Sequence, residues 1–267
     1  MLRSSAAATI WRHRSLLREL VTRDIQNRYA GSLAGIFWAL LHPIAMLAVY
    51  AVVFEYVFSV RVPNAMPNQP YVLFVATALW PWLAFSEALS RSAVAVQNHA
   101  ALVKKVAFPH ELLVYSAVFS SFLIQVCGFA VVLLVLRIAG FSVSFWAIPW
   151  AALGMLVLLG MATAVGLVLA ALQVFIRDVE HLLMQTMSVL FYATPILYPM
   201  ASVPAWMANA MQWNPLVHVL EPIRAALLHA GEPRLGAAAL VAVGAAVAFY
   251  LARRFFLKLS PHFEDMV

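Results

Sequence analysis

Charged residues are scarce in this chain. Lys, Arg, Asp and Glu make up 10% of its 267 residues, and hydrophobic residues make up 64%. Soluble domains carry about 25% charged and about 45–50% apolar residues. Together with a mean hydropathy of +0.89, this composition excludes a soluble globular protein and indicates a membrane protein.

Cysteine and the common catalytic motifs are also missing. Cys127 is the single cysteine, so an intrachain disulfide, a CxxC redox pair and a cysteine zinc site are impossible. The sequence contains no GxxxxGK[ST] phosphate-binding loop, no GxSxG nucleophile motif and no HExxH metal motif. We therefore expect no catalytic residue, no metal site and no ATP site in this chain.

Long apolar runs are abundant instead. A helix needs about 20 mainly apolar residues to cross the roughly 30 Å hydrocarbon core of a bilayer. The runs predict an all-α membrane protein, with Pro81 interrupting the second span. Six membrane-spanning helices are expected, at about 36–58, 71–89, 112–136, 147–172, 182–197 and 235–256.

Residues 198–234, between the fifth and sixth spans, have neither the composition of a loop nor that of a membrane span. They are too apolar for a free loop, and prolines interrupt them too often for one straight span. Irregular backbone is tolerated at membrane depth where protein or a water-filled cavity surrounds it. We therefore expect short re-entrant helices in this segment.

Residues 1–34 differ in character from the membrane domain of residues 35–267. Between residues 16 and 26, leucine, valine and isoleucine gather on one side of a helix and mostly polar residues on the other, with Asp24 as the exception. Such a helix is typical of a membrane surface, where its apolar side enters the headgroup region. We predict a cytoplasmic amphipathic interface segment.

The distribution of basic residues gives the orientation. The N-terminal segment, residues 90–110, residues 173–181 and the C-terminal residues hold 13 of the 17 Lys and Arg residues, and the opposite loops hold 4. Because cytoplasmic loops collect Lys and Arg, both termini are expected in the cytoplasm. The same rule accounts for the net charge of +6, so we expect contact with lipids and no nucleic acid.

Few ionisable residues lie within the predicted spans. Glu87 and Arg91 stand four residues apart near the cytoplasmic end of the second span, a spacing that favours an ion pair on a helix. Glu55 lies near the other end of the first span. Two carboxylates near the ends of different spans do not form a proton relay across the membrane, which argues against a proton-coupled carrier.

Aromatic residues recur at helical spacing on the first two spans. They either form a lipid-facing belt, as in many membrane proteins, or line a path for substrate. Flat ring faces could pack on the CH faces of sugars without holding a moving polymer too tightly. The spacing leaves both interpretations open. The candidate path residues are Tyr50, Phe54, Phe74, Trp80, Trp82 and Phe85.

The segment 98–111 is unusually apolar for a cytoplasmic loop. Leu102, Val103, Val106 and Phe108 accompany the basic pair Lys104 and Lys105. Such a segment favours a short amphipathic helix that docks into the groove of a partner protein. The alternative is a helix that lies on the inner leaflet.

Four sequence blocks resemble the permease subunits of type-2 ABC (ATP-binding cassette) exporters of bacterial polysaccharides, including the Wzm-like O-antigen, capsule and teichoic acid exporters. Thr77-Ala78 replaces a glycine that is usual in the second block, and Thr194 replaces serine in the fourth. The blocks follow the family's order: RDIQNRY at 23–29 with GIFWALLHP at 35–43; PY at 70–71 with LWPW at 79–82 and FS at 85–86; LVKKVAFP at 102–109; and TPILYP at 194–199 with NPL at 214–216.

The resemblance implies a homodimer in the bacterial inner membrane that pairs with two separate ATPase subunits. ATP and magnesium would bind those subunits, and hydrolysis would drive a lipid-linked polysaccharide out of the cytosol. The family pattern assigns three groups of residues in this chain. They are Leu102, Lys104, Lys105 and Phe108 for coupling to the ATPase; Arg23, Asp24, Arg28 and Tyr29 for the interface helix; and Pro195, Tyr198, Asn214 and Pro215 for an outer gate.

Other functions stay open at this point. The same machinery could export drugs or other lipids, since such permeases share the architecture. A passive channel or scaffold would need no ATPase partner. An intramembrane enzyme is the weakest alternative, because the sequence carries no nucleophile motif.

Overall fold

A computed structural model of the chain describes residues 5–31, 35, 37–57, 70–228 and 235–267, with all side chains in these ranges except those of Tyr29, Tyr56 and Leu235. Within these residues every regular element is helical, which confirms the all-α fold. The helices are α1 Ala6–Arg12, α2 Arg14–Tyr29, α3 Phe37–Val52, α4 Tyr71–Ala93, α5 Ala95–Asn98, α6 Ala100–Lys105, α7 Glu111–Ile138, α8 Ile148–Phe175, α9 Val179–Tyr192, α10 Ala205–Met211, α11 Val217–Leu228, α12 Leu235–Leu259 and α13 Phe263–Met266.

Five helical stretches among the described residues are long and apolar enough to cross a membrane, and each coincides with a predicted span. The predicted interruption at Pro81 is wrong, because α4 continues through this proline without a break. The five stretches are Phe37–Glu55, Tyr71–Ala93, Glu111–Ile138, Phe145–Phe175 and Gly236–Met266.

The predicted fifth span, at 182–197, is the exception. Its helix, α9, has 14 residues and begins and ends earlier than expected. At 1.5 Å per residue it is about 21 Å long, which is shorter than the hydrocarbon core of about 30 Å. The helix stops before Pro195, since proline disfavours helical backbone in the residue before it. Six complete spans therefore stay a prediction.

Helix α4 forms the centre of the bundle. It contacts α3, α7, α8, α9 and α11, and most of its side chains are buried. A helix that is apolar on all sides suits such a position. Trp80, in the middle of α4, is fully buried and lies at the heart of the larger apolar cluster.

The polar connections and the C-terminal residues meet at one end of the bundle, which we call the basic end (residues 94–110, 173–181 and 258–267). There the Gln97 Nε2 donates to the carbonyl of Gln173 at 2.9 Å, and His110 Nδ1 lies 2.9 Å from Ser260 Oγ. Phe263 is fully buried among residues of α7 and α8. The C-terminal turn thus supports the predicted coupling segment.

The opposite end, which we call the far end, comprises residues 70–74, 139–147 and 193–228. Its parts are joined by backbone contacts, such as the hydrogen bond from Ser144 N to the carbonyl of Leu227 at 3.0 Å. Tyr71 at the start of α4 donates its hydroxyl to the carbonyl of Leu197. The broken segment after α9 is therefore held against the bundle.

Helix α8 approaches α4 closely at Gly166. A Cβ atom added there would lie 2.5 Å from Ser92 Oγ and 3.0 Å from Ser92 Cβ. The Ser92 Cβ cannot rotate away, since it is bonded directly to the backbone of α4. Glycine at this position allows the two helices to pack at their observed distance.

Replacing Gly166 by alanine should lower the melting temperature of the detergent-purified protein, followed by tryptophan fluorescence. Overpacking of this kind costs about 1–3 kcal/mol. Gly160→Ala on the same helix is the matched control, because nothing lies within 4 Å of the added Cβ. Alanine favours helices there, so this variant should be neutral or slightly more stable. Equal melting temperatures would contradict the close contact.

Candidate functional site

A cluster of charges attaches α2 to the bundle. We call Asp24, Arg28, Glu87, Arg91 and Ser120 the anchor cluster. Arg28 donates to Glu87 Oε1 and, at 3.2 Å, to Asp24 Oδ2, and its side chain is only 5% exposed. Arg91 and Ser120 both donate to the carboxylate of Asp24. The cluster thus joins α2 to α4 and α7.

The anchor cluster explains one exception and corrects one prediction. Asp24 lies on the side of α2 that faces α4 and α7, where Arg91 and Ser120 donate to its carboxylate. Glu87 and Arg91 are not paired with each other among the described residues; each pairs with a residue of α2 instead. Charged residues of α2 thus pair with Glu87 and Arg91 in place of the neighbour four residues away on α4.

The same geometry sets the ionisation of Asp24. Burial alone raises the pKa of a carboxyl group, because it disfavours the charged form. The hydrogen bonds from Ser120 and Arg91, with the charges of Arg91 and Arg28, outweigh burial and hold the pKa of Asp24 below its ordinary value. Asp24 is therefore an anion that fixes both arginines.

The apolar side of α2 also contacts protein, which corrects the predicted position in the headgroup region. Leu17 and Leu20 are buried in a cluster with residues of α7 and α8. Arg23 is exposed on the other side of the helix. The side chain of Tyr29, the remaining residue predicted for the interface helix, lies outside the described part of the chain.

The predicted coupling segment folds back on its own chain. Leu102 and Phe108 are half-buried, and Val103 is buried, in the cluster that also contains Phe263. Three of the four apolar residues that suggested a partner groove thus pack in this cluster with residues of α7, α8 and α13, while Val106 is exposed. Lys104 and Lys105, by contrast, are exposed.

The stack beneath the coupling segment runs through His110. The ring of Phe108 meets the ring of His110 edge-on at 5.3 Å, and His110 stacks on Phe263 at 6.1 Å. Burial lowers the pKa of His110, so the imidazole is neutral near pH 7. This neutral stack joins the end of the coupling segment to the C-terminal turn.

The candidate path aromatics divide into two groups. Phe74 and Trp80 are buried, while Tyr50 on α3 and Phe54 in the turn that follows α3 are half-buried. Trp82 and Phe85 are only 4% exposed. A lipid-facing belt is thereby excluded for the four candidate rings on α4. Their role in a substrate path stays a prediction.

Helix α9 supplies a ring that the sequence analysis left out. Phe191 lies 5.7 Å from Trp82 and 6.1 Å from Tyr50, measured between ring centroids. Trp82 in turn lies 6.5 Å from Phe85. We call Tyr50, Trp82, Phe85 and Phe191 the ring cluster; it joins α3, α4 and α9. Phe54 stacks separately on Tyr71 at 5.8 Å.

A fully buried arginine organises the far end. Arg224 of α11 donates its Nε to the carbonyl of Phe74 at 3.2 Å. One terminal nitrogen donates to the carbonyls of Pro195 and Ile196 at 2.9 and 3.1 Å, and the other to Glu221 Oε1 at 2.6 Å. The guanidinium also lies 3.8 Å above the ring of Phe74. Every terminal nitrogen of this buried cation is paired.

One predicted gate residue, Pro195, contacts this arginine, and the others lie in the same far end. Asn214 Nδ2 donates to Thr194 Oγ1 at 2.9 Å, and its Oδ1 accepts from the backbone N–H of Leu216 at 3.0 Å. The hydroxyl of Tyr198 donates to the carbonyl of Tyr192. Pro195 is buried, and Pro215 is exposed next to Asn214. The structure therefore brings three of the four predicted residues into one hydrogen-bonded region.

Arg224 was missed as a site residue because the sequence analysis counted it as a loop charge. The signal was present, since Arg224 lies in the apolar stretch VLEPIRAALL at 219–228. A charge within an apolar helix of a membrane protein is costly and marks a structural or functional site.

Replacing Arg224 by lysine should destabilise the far end, because a single ammonium group cannot reproduce the planar fork of donors. We expect a loss of about 3 kcal/mol, the cost of breaking a buried ionic network. The melting temperature in detergent measures it. Arg137→Lys is the control, since Arg137 is exposed at the same end. An unchanged melting temperature for Arg224→Lys would contradict this assignment.

Comparison with known proteins places the chain in a family. Residues 15–228 match the model of the ABC-2 type transporter family. An O-antigen export system permease protein RfbA of Myxococcus xanthus is 30% identical over 256 residues, covering 92% of this chain and 95% of that protein. A protein of the same name from Klebsiella pneumoniae is 28% identical, covering 77% of each chain.

The name of a more distant relative refers to a different substrate. The polysialic acid transport protein KpsM of Escherichia coli is 25% identical over 210 residues, covering 78% of this chain and 80% of that protein. The family match extends from α2 through α11 and so includes the anchor cluster, the coupling segment, the ring cluster and Arg224. The chain belongs to the ABC-2 type transporter family.

Proposed function

We propose that this chain is the transmembrane permease subunit of an ATP-driven exporter that moves lipid-linked polysaccharide of the O-antigen type across the bacterial inner membrane. The observation that carries the proposal is the similarity to the Myxococcus xanthus permease over nearly the whole of both chains. Since the sequence has no P-loop, a separate ATPase subunit supplies the energy. Two copies of the permease work with two copies of that subunit, which binds ATP and magnesium.

The basic end supports an interaction with the ATPase subunit. Lys104 and Lys105 are exposed there, on a short helix whose other side packs against the rest of the chain. Docking a helix whose apolar side is already buried requires little ordering, which favours binding. The positive-inside rule places this end, and both termini, in the cytoplasm, where the ATPase would meet it.

Replacing Lys104 and Lys105 together by alanine should weaken binding of the ATPase subunit. Two exposed interface charges affect association strongly and the folded state little. Affinity purification of the tagged permease from gentle detergent measures the amount of ATPase that co-purifies. Arg254→Ala with Lys258→Ala is the matched control, since both residues are exposed on the nearby end of α12. Equal recovery of the ATPase from both double variants would contradict this site.

Several contacts support the re-entrant path of residues 198–228. Asn214 is hydrogen-bonded to Thr194 at the end of α9, so the chain returns to that depth after α10. Helix α11 then passes Gly154 of α8 at Ile223 and reaches Ser144 at Leu227. It begins deeper in the bundle than it ends. We propose that this segment forms the outer gate, with the Arg224 network as its hinge.

The ring cluster and Phe54 supply the apolar part of the proposed path. Its members meet where α3, α4 and α9 come together, and Tyr50 and Phe54 keep part of their surface open. In the dimer we place the conduit between protomers, beside these helices. Buried Phe74 and Trp80 would support the path from behind.

Replacing Tyr50 and Phe54 together by alanine should lower surface polysaccharide in a strain that has no other copy of the gene. Half-buried rings can be removed with a smaller packing loss than the buried rings of α4. Val49→Ala with Val52→Ala is the matched control, since both side chains are exposed on the same helix. An unchanged amount of surface polysaccharide at normal protein level in the Tyr50 and Phe54 variant would contradict the ring-lined path.

A second substrate class is favoured by the Escherichia coli relative, whose name refers to polysialic acid. Export of a capsule-type polysaccharide would use the same membrane architecture. Deleting the gene and analysing both surface lipopolysaccharide and capsule distinguishes the two. Loss of capsule with intact O-antigen would show that the substrate is the capsule polysaccharide and not the O-antigen.

A further inference from the structure

Helix α9 presents two different faces. The face toward the bundle carries Leu183, which is buried, and Phe191 of the ring cluster. The face that points directly away carries His181, Gln185, Ser188 and Tyr192, which follow each other at spacings of three and four residues and are all exposed. Such spacing places them on one line along the helix. We call these four residues the polar stripe.

The exposed faces of α7 and α8 have a different composition. In the middle of α7, the exposed residues include Leu123, Val126, Cys127 and Val131; on α8 they include Leu153 and Leu156. All of these side chains are compatible with lipid. Leu182, Met184 and Val189 are also exposed on α9, but the amide, two hydroxyls and imidazole of the polar stripe set this helix apart from α7 and α8.

Gln185 is the residue that a lipid environment would penalise most. Thr186 and Ser188 donate their hydroxyls to the carbonyls of Leu182 and Met184 at 2.7 and 3.0 Å, so their polarity is satisfied within the helix. Gln185, halfway along α9, makes no hydrogen bond with the part of the chain that the structure describes. An amide without partners in hydrocarbon costs several kcal/mol.

We propose that the polar stripe is the hydrated wall of the conduit, and that Gln185 binds the hydroxyl groups of the passing glycan. This rests on the proposed function and specifies its substrate site. A glutamine amide both donates and accepts hydrogen bonds, which matches a sugar hydroxyl in either role. Tyr50, Phe54 and Phe191 are half-buried, and their exposed parts form the apolar border of the same conduit.

The single native cysteine provides a test with an internal reference. In the native chain only Cys127 can react, and it is exposed on the apolar face of α7. The variant Cys127→Ala with Gln185→Cys moves the thiol to the polar stripe. A second variant, Cys127→Ala with Ser188→Cys, gives the same measurement if the first does not fold. Both are labelled in native membranes with a charged, membrane-impermeant methanethiosulfonate.

A hydrated stripe predicts labelling of the introduced thiols at least about tenfold faster than labelling of Cys127, because only a thiolate reacts and hydrocarbon suppresses its formation. Equal rates for Cys127 and both introduced cysteines would overturn the proposal, since the stripe would then face lipid or a dry contact between copies. The role of the amide has its own readout. Gln185→Leu should reduce export at normal protein level and normal ATPase binding, while Gln185→Asn should retain it.

These measurements separate this inference from the proposed function. If deleting the gene leaves all surface polysaccharide unchanged, the proposed substrate is wrong, and the assignment of Gln185 to sugar hydroxyls falls with it. If the deletion removes surface polysaccharide but Gln185→Leu exports normally, the function stands and the glycan contact at Gln185 is overturned.

Discussion

The hydrocarbon core of a membrane offers no hydrogen-bond partners, and this constraint governs the far end of the protein. Helix α9 stops before Pro195 and leaves the next carbonyls without helical donors. Arg224 supplies donors to Pro195 and Ile196, and Tyr71 supplies one to Leu197. The chain can leave helical geometry among these buried residues because α11 and α4 present these groups.

The same constraint gives the charges of the bundle a structural role. Glu111 accepts a two-pronged pair of hydrogen bonds from Arg253, at 2.7 and 2.9 Å, and joins the start of α7 to the end of α12. The anchor cluster joins α2 to α4 in a comparable way. An unpaired charge at either place would be far more costly than the ordering of the pair. These pairs therefore fix how distant parts of the sequence are aligned.

The sequence predicted the helices well and their partners poorly, for a physical reason. Apolar runs define a span locally, so five spans coincide with predicted ones. Pairing of Glu87 and Arg91 was inferred from their spacing, but α2 brings Arg28 and Asp24 closer to them. Likewise Val103 resembled a residue that needs a partner protein, although the chain's own residues cover it. Contacts between distant segments carry no local signal.

Helix α9 joins the basic end to the far end. Its first turn is tied to the basic end, where the Glu180 N–H donates to Gln173 Oε1 at 2.8 Å and Gln173 contacts Gln97. Just past its last turn, Thr194 is bonded to Asn214. We expect a continuously hydrogen-bonded helix to move as a rigid rod, so that a displacement of the basic end would reach the far end. Because the polar stripe lies on this rod, any movement of the outer turn also moves one wall of the proposed conduit.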